Sequence, residues 1–180
     1  MGLIREGDAK AFELLVARHQ RPVYNLALRF LSDSDEAEDI AQEVFIRLYK
    51  SAAAYTPDAK FTTYLYTIVR NLCFNLLRSR RQAVIVSLED EALPELSAKN
   101  EDPVERITRQ HVGEKVRQAV AKLPVNMRLA VLLSKYHGLS YDEIAGIMGC
   151  SVTAIKLRVH RAKAILAEEL SALKDETRDK

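Results

Sequence analysis

The segment from Leu139 to Leu166, LSYDEIAGIMGCSVTAIKLRVHRAKAIL, leaves the chain few folds to choose from. Ser140 precedes an apolar-periodic run and Glu143 follows it by three residues, the spacing at which a hydroxyl and a carboxylate cap a first helical turn reciprocally. A helix over Tyr141–Met148 is the prediction. Gly149 can take the positive φ that ends a helix, and Ser151 suits the start of another. Two helices joined by so short a turn cross steeply, which is the helix-turn-helix arrangement. Ala145, Gly149 and Ile155 stand at the spacing it requires.

The second helix shows which side faces outward. Val152, Ile155, Val159, Ala162 and Leu166 recur at steps of three and four, so they form one stripe to be buried. At about 100° per residue, the opposite arc carries Thr153, Lys156, Leu157, His160 and Arg161, with Arg158 and Lys163 on its flanks. Between Ser151 and Ala167 there are four cations and no acid. A cationic helix offered by a helix-turn-helix suits a DNA major groove, where Arg and Lys reach guanine edges or phosphates. An ordinary core helix with a solvated basic side is the plainer alternative, and the capping pattern and charge asymmetry weigh against it.

With 180 residues, 48% of them hydrophobic, the chain can bury one core or two small ones. No apolar run approaches the roughly 20 residues that span a bilayer and no signal peptide is present, so a cytoplasmic location is expected. Cys73 and Cys150 lie far apart in apolar helical contexts, which predicts buried free thiols, and the four histidines do not cluster. No cofactor and no metal site is expected. Nor is enzymatic activity, because the chain shows no nucleophile with its base, no phosphate loop and no catalytic carboxylate pair.

The net charge is only +2, yet the charges are sorted into blocks. Ser32 to Lys60 holds seven acids against three bases, Phe61 to Gln82 four arginines and no acid, and Ala83 to Glu105 seven acids against Lys99. A chain that alternates in sign this way has more than one task. Its first helix is expected over Asp8–His19, and a second from Pro22 to Leu31, with proline in the opening turn. A third begins at a cap formed by Asp33 and Glu36, with Ala37, Ile40, Ala41, Val44, Phe45 and Leu48 inward. Its outer side surrounds Ile46 with Glu38, Asp39, Gln42, Glu43 and Lys50, an apolar residue among carboxylates that suits a protein-binding patch.

Tyr55 to Lys60 is a turn broken by Pro57 and Asp58. A long helix over Phe61–Arg81 follows, with Leu65, Ile68, Val69, Leu72 and Leu76 facing the core. Thr63, Thr67, Arg70, Asn71, Phe74 and Arg78 lie on its far side, with Tyr64 and Tyr66 towards the edges. Aromatics interleaved with arginines and amides suit unpaired bases, since rings stack on bases at about 1–3 kcal/mol each while cations follow the phosphates. The same pattern equally suits aromatics packed on neighbouring helices with only the arginines at the surface. Ala83 to Pro103 loses helical periodicity and collects prolines, serines and acids, so it reads as a flexible linker. Helix resumes from Val104 to Leu123, and Pro124 opens another that ends near His137 and Gly138; the tail after Leu173 is expected to fray.

Three blocks now stand in order: DEAEDIAQEVFIRLYK, then FTTYLYTIVRNLCFNLLRSRR, then, after an acidic linker, LPVNMRLAVLLSKYHGLSYDEIAGIMGCSVTAIKLRVHRAK. Together they resemble a bacterial RNA polymerase sigma factor of the small extracytoplasmic-function (ECF) group, over nearly the whole chain. The resemblance implies an all-α fold of two small helical domains. A sigma region 2 domain would occupy 1–82, a flexible acidic linker 83–103, a sigma region 4 helix-turn-helix domain 104–174 and a tail 175–180. It implies a dissociable initiation subunit whose partners are core RNA polymerase (clamp helices of the largest subunit, and flap), promoter DNA and an anti-sigma factor. Asp39, Gln42, Glu43 and Ile46 would grip the clamp helices. Tyr55, Lys60, Thr63, Tyr64, Arg70, Asn71, Phe74, Asn75 and Arg78 would serve the minus-ten element, with its flipped base and melted strand. Ser151, Thr153, Lys156, Leu157, Arg158, His160 and Arg161 would serve the minus-thirty-five element. The linker would thread the polymerase interior.

The chain departs from the family pattern at particular positions. Tyr64 stands where tryptophan is usual and Leu157 where a small hydroxyl residue is, so base-by-base readout does not carry over. A short leading segment of the pattern is expected to be absent, because the first helix starts almost at Met1. The competing reading from another class is an autonomous helix-turn-helix regulator, its N-terminal half a dimerisation or ligand-sensing module.

Overall fold

A computed structural model describes residues 1–56, 60–89 and 107–175. Among them the regular structure is entirely helical: α1 (Gly2–Arg5), α2 (Ala9–Leu31), α3 (Ser34–Lys50), α4 (Phe61–Glu89), α5 (Ile107–Lys122), α6 (Val125–Tyr136), α7 (Tyr141–Met148) and α8 (Val152–Asp175), with a 3₁₀ turn at Ala52–Ala54. The all-α expectation is met.

The N-terminal helices differ from the sequence reading at one joint. A break is expected at Pro22, yet Ala9–Leu31 is a single helix that carries the proline inside it. Proline there forgoes one backbone hydrogen bond and crowds the preceding turn, a cost of about 3 kcal/mol. The stripe explains why the helix tolerates this. Phe12, Leu15 and Val16 before the proline lie on the same side as Val23, Leu26, Ala27 and Phe30 after it, and all seven belong to or pack against one core. Breaking at Pro22 would turn half of that stripe away from α3 and α4, which cover it.

Ser32 ends α2 with φ 60°, and Asp33 starts α3 by accepting from the Glu36 amide at 3.0 Å, so α2 and α3 form a tight hairpin. The expected inner residues of α3 are buried, with Ala41 only partly so. Its start is tied to α4 by Arg80, which pairs with Glu36 and lies 3.8 Å from Asp33. The backbone of α4 stays helical as far as Glu89, beyond the expected end at Arg81 and into the stretch read as linker; residues 90–106, holding the rest of that stretch, lie outside the described residues.

In the C-terminal helices the local signals hold closely. Ser140 and Glu143 form the complete capping box, and Gly149 ends α7 at φ 61° and ψ 43°. The Ser151 hydroxyl accepts from the Ala154 amide at 3.2 Å to open α8. Ile155, Val159 and Ala162 are buried, with Val152 and Leu166 half-buried beside them. The backbone of α8 continues past Leu173 to Asp175. Cys73 is buried, and desolvation pushes its thiol up to about 12, whereas Cys150 is only half-buried and accepts from Arg158.

The two groups of helices pack against each other. One apolar cluster runs from Val23, Phe30 and Leu65 through Leu129, Leu133 and Ile144 to Ile155 and Val159, and a small second cluster joins Leu123, Val131 and Ala162. The seam brings α4 to α7 and α2 to α5 and α6. Arg128 bridges it. Its guanidinium donates to the carbonyls of Phe30 at 2.7 Å and Leu123 at 3.3 Å, and to that of Ala121. These carbonyls stand at the ends of α2 and α5, where helices leave acceptors unpaired and the macrodipole favours a cation.

Candidate nucleic-acid interface

The buried stripe of α8 fixes what the helix shows to solvent. Ser151, Thr153, Lys156, Leu157, His160, Arg161 and Lys163 are all exposed, and Leu157 retains 47% of its surface. Arg158 is half-buried, its Nη1 3.1 Å from the Cys150 sulfur in the turn between α7 and α8. The outer side of α8 is therefore a cationic strip with an apolar side chain at its middle, and Leu157 can meet a thymine methyl.

The start of α4 builds a different kind of site. Tyr64 donates its hydroxyl proton to Ser51 Oγ at 2.6 Å, and its ring lies 5.1 Å from that of Tyr55 at 59°. With Ala54, Thr56, Thr63 and Thr67, these three residues line a cavity of about 340 Å³. That volume is at the lower end of small-ligand pockets. Two rings and several hydroxyls are the equipment for stacking on one planar base and hydrogen-bonding its edge. Ser51 was not legible as part of this site, since it stands in no motif. Pro57, Asp58 and Ala59 lie outside the described residues.

Further along α4, Asn71, Asn75 and Arg78 are exposed and Arg70 is half-buried. Phe74 is turned inward: its ring stacks on Phe30 at 5.7 Å and 15°, with the Arg70 guanidinium 5.5 Å from its centre. Tyr66, expected towards an edge, is buried, and shares a 2.8 Å hydrogen bond with Nδ1 of His137. For these two rings packing wins over solvent, and burial raises the Tyr66 pKa and lowers that of His137.

On α3, Asp39 and Gln42 are exposed and Ile46 retains 46% of its surface, while Glu43 is held by Arg47 at 2.7 Å. Tyr49, one turn beyond Ile46 and 57% exposed, adds to the apolar ground with Phe12 edge-on to it at 5.1 Å. The sequence carried that signal, three residues after Ile46, and it was missed.

One further contact ties the candidate residues together. Lys60 Nζ lies 2.9 Å from Glu143 Oε1. The Ser140 amide, then Lys60, then the Ser140 hydroxyl hold the Glu143 carboxyl down to about 2. A depressed carboxylate stabilises above its unfolded value and loses that contribution as pH falls through the folded one. The protection of the α7 amides, measured against their intrinsic exchange at each pH, is therefore expected to fall between pH 4.5 and about 2. An equal fall in Glu143→Gln would show that the carboxylate is not responsible.

Comparison with known proteins gives this geometry its setting. The sigma-70 region 2 model matches residues 15–83, and the sigma-70 region 4 model matches residues 113–166. The RNA polymerase sigma-H factor of Pseudomonas aeruginosa is 34% identical, over 94% of this chain and 91% of its own length. The ECF sigma-E factor of Escherichia coli is 33% identical over 94% of this chain and 92% of its own. The chain belongs to the ECF group of RNA polymerase sigma factors. The solved sigma factor RpoE of Bartonella quintana, in complex with the anti-sigma factor NepR, superposes with a TM-score of 0.74 at 26% identity, over 91% of this chain and 98% of that one. CnrH, in complex with the cytosolic domain of CnrY, gives 0.72 at 26% identity over 95% and 94%. As a sigma factor, the chain is a transcription initiation factor. Among the described residues no helix is long and apolar enough to cross a membrane, and no group of metal-binding side chains is gathered.

Proposed function

We propose that the chain joins core RNA polymerase as an alternative sigma factor, through Asp39, Gln42, Glu43 and Ile46 on α3. Its α8 reads the minus-thirty-five element through Ser151, Thr153, Lys156, Leu157, Arg158, His160 and Arg161. The start of α4, with Tyr55, Lys60, Thr63, Tyr64, Arg70, Asn71, Asn75 and Arg78, takes the melted minus-ten strand, one base entering the cavity beside Tyr64. Phe74 joins that set only where its ring leaves Phe30. The chain itself catalyses nothing and works in the cytoplasm, at the nucleoid when active, because both its template and its enzyme are there.

The observation that carries this reading is the division of the surface. A cationic strip on α8, a cavity with rings and hydroxyls at the start of α4 and an acid-ringed isoleucine on α3 are three separate contact areas. An autonomous regulator has use for the first alone. Co-elution of the purified chain with core polymerase, together with promoter-dependent transcription by the pair, tests the reading. A homodimer that binds duplex operator tightly unaided, and ignores polymerase, would sink it.

Both structural neighbours were solved with a partner bound, one of them named an anti-sigma factor. We infer that this chain also has an anti-sigma partner, which should co-purify with it from uninduced native cells; repeated isolation of the chain alone would count against that.

At the DNA end, Arg161→Ala should weaken promoter duplex binding and reduce the slope of log affinity against log salt by about 1, the share of one phosphate contact. An unchanged slope and footprint would place Arg161 off the DNA.

A further inference from the structure

The cavity at the start of α4 has most of its hydroxyl protons already committed. A hydroxyl carries a single proton, and that of Ser51 goes to the Leu48 carbonyl 3.1 Å away, in the last turn of α3 where carbonyls lack amide partners. Ser51 Oγ therefore meets the Tyr64 hydroxyl, at 2.6 Å, as the acceptor. The Tyr64 proton is spent on Ser51. Thr67 is committed in the same way, its Oγ1 donating to the Thr63 carbonyl one turn earlier at 2.7 Å.

Ser51, Tyr64 and Thr67 all line the cavity, with the Tyr55 ring beside them. To a guest, these three oxygens have only lone pairs to offer. The Thr63 hydroxyl can rotate to serve in either sense. At position 64, where tryptophan is usual in the family, an indole N–H could only donate. The relay through Ser51 gives Tyr64 the opposite polarity, that of an acceptor.

We propose that Ser51 and Thr67 set this cavity for a base that carries an exocyclic amino group, with Tyr64 Oη as the reading atom, and that thymine is the base it excludes. This inference rests on the function proposed above, in which one base of the melted strand enters beside Tyr64. Adenine, cytosine and guanine each bring an amino group whose protons suit a lone pair. Thymine brings carbonyl oxygens on both sides of its one ring N–H, so acceptor faces acceptor and the pairing is lost. Stacking on Tyr55 does not discriminate, because every base has a π-face. Selection falls to the hydroxyls, and Ser51 acts as a positioning residue through Tyr64.

The test uses holoenzyme assembled from the full chain and core polymerase, with fork-junction DNA carrying an abasic site at each single-stranded position in turn. One position should lose affinity when its base is removed and lose no more in Tyr64→Ala, which marks the base in the cavity. With adenine, cytosine or guanine at that position, binding should be about tenfold tighter than with thymine, the worth of one hydrogen bond set against an unpaired acceptor. Unsubstituted purine, which is adenine without its amino group, should fall with thymine. Ser51→Ala frees the Tyr64 proton to point at the base, and the thymine penalty should shrink to less than about threefold as a donor becomes available. Ser51→Thr keeps the hydroxyl and should keep the full penalty. A purely structural role for Ser51 would weaken every base alike and leave the ratio intact.

Thymine bound as tightly as adenine, purine bound as tightly as adenine, or an unchanged ratio in Ser51→Ala would overturn the assignment and leave the base in its cavity. Absence of any position coupled to Tyr64 would overturn the assignment together with that placement. Co-elution with core polymerase and promoter-dependent transcription would leave the sigma-factor reading standing in each of those cases.

Discussion

Ile46→Asp is expected to remove the chain from core polymerase while leaving it folded. Ile46 projects from the middle of α3, 46% exposed, with Asp39 and Glu43 on one side and Gln42 and Tyr49 on the other. An exposed position of this kind tolerates substitution within about 0.5 kcal/mol. The introduced carboxylate would moreover stand one turn before Lys50, in a favourable register for a helical ion pair. The effect is therefore confined to what Ile46 touches in the complex. An apolar anchor at the centre of a charged patch costs about 2–4 kcal/mol when truncated, or about 30- to 1,000-fold in affinity. A carboxylate in its place adds an unpaired buried charge, so complete loss of co-elution is the expected result. Ile46→Val should retain binding, and circular dichroism should show both variants as helical as the parent. Full binding by Ile46→Asp would move the polymerase contact to another surface.

What the sequence disclosed and what it withheld divide along one physical line. The capping box at Ser140 and Glu143, the positive φ at Gly149, the Ser151 cap and the buried stripe of α8 are set by residues within four positions of each other, and all were legible. The exposure of Ile46 followed from the period of α3 in the same way. Pro22 was misjudged because local preference gave way to a stripe continuing across it. The inward turn of Phe74 and the burial of Tyr66 depend on Phe30 and His137, far away in the chain, and no periodicity encodes such pairs. For the same reason the seam stayed hidden. Lys60 with Glu143, Arg70 with Ile147 and Arg128 with Phe30 are contacts between helical groups that were read as separate working parts. The cations that suit Lys60 and Arg70 to a phosphate strand are the same groups that α7 holds through Glu143 and the Ile147 carbonyl.

Phe30→Ala should be the most damaging single truncation for stability. Phe30 has no exposed surface and is the largest fully buried side chain in the molecule's described residues. Its ring stacks on Phe74 at 5.7 Å and lies 5.6 Å under the Arg128 guanidinium, while its own carbonyl accepts from Arg128 at 2.7 Å. Deleting a buried phenyl ring costs about 3–5 kcal/mol, the spread reflecting how far the site collapses. Collapse is hindered here because α2, α4 and α6 meet at the ring, and each is held elsewhere by its own packing. Thermal unfolding of the full chain should fall by roughly 10–15 °C. The Phe74 ring would lose its stacking partner in the same variant and become free to turn towards a bound strand. A midpoint within about 2 °C of the parent, less than the shift for 1 kcal/mol, would mean that the seam between the helical groups contributes little to the fold. The division of the chain at its acidic segment would then describe its energetics better than the continuous cluster does.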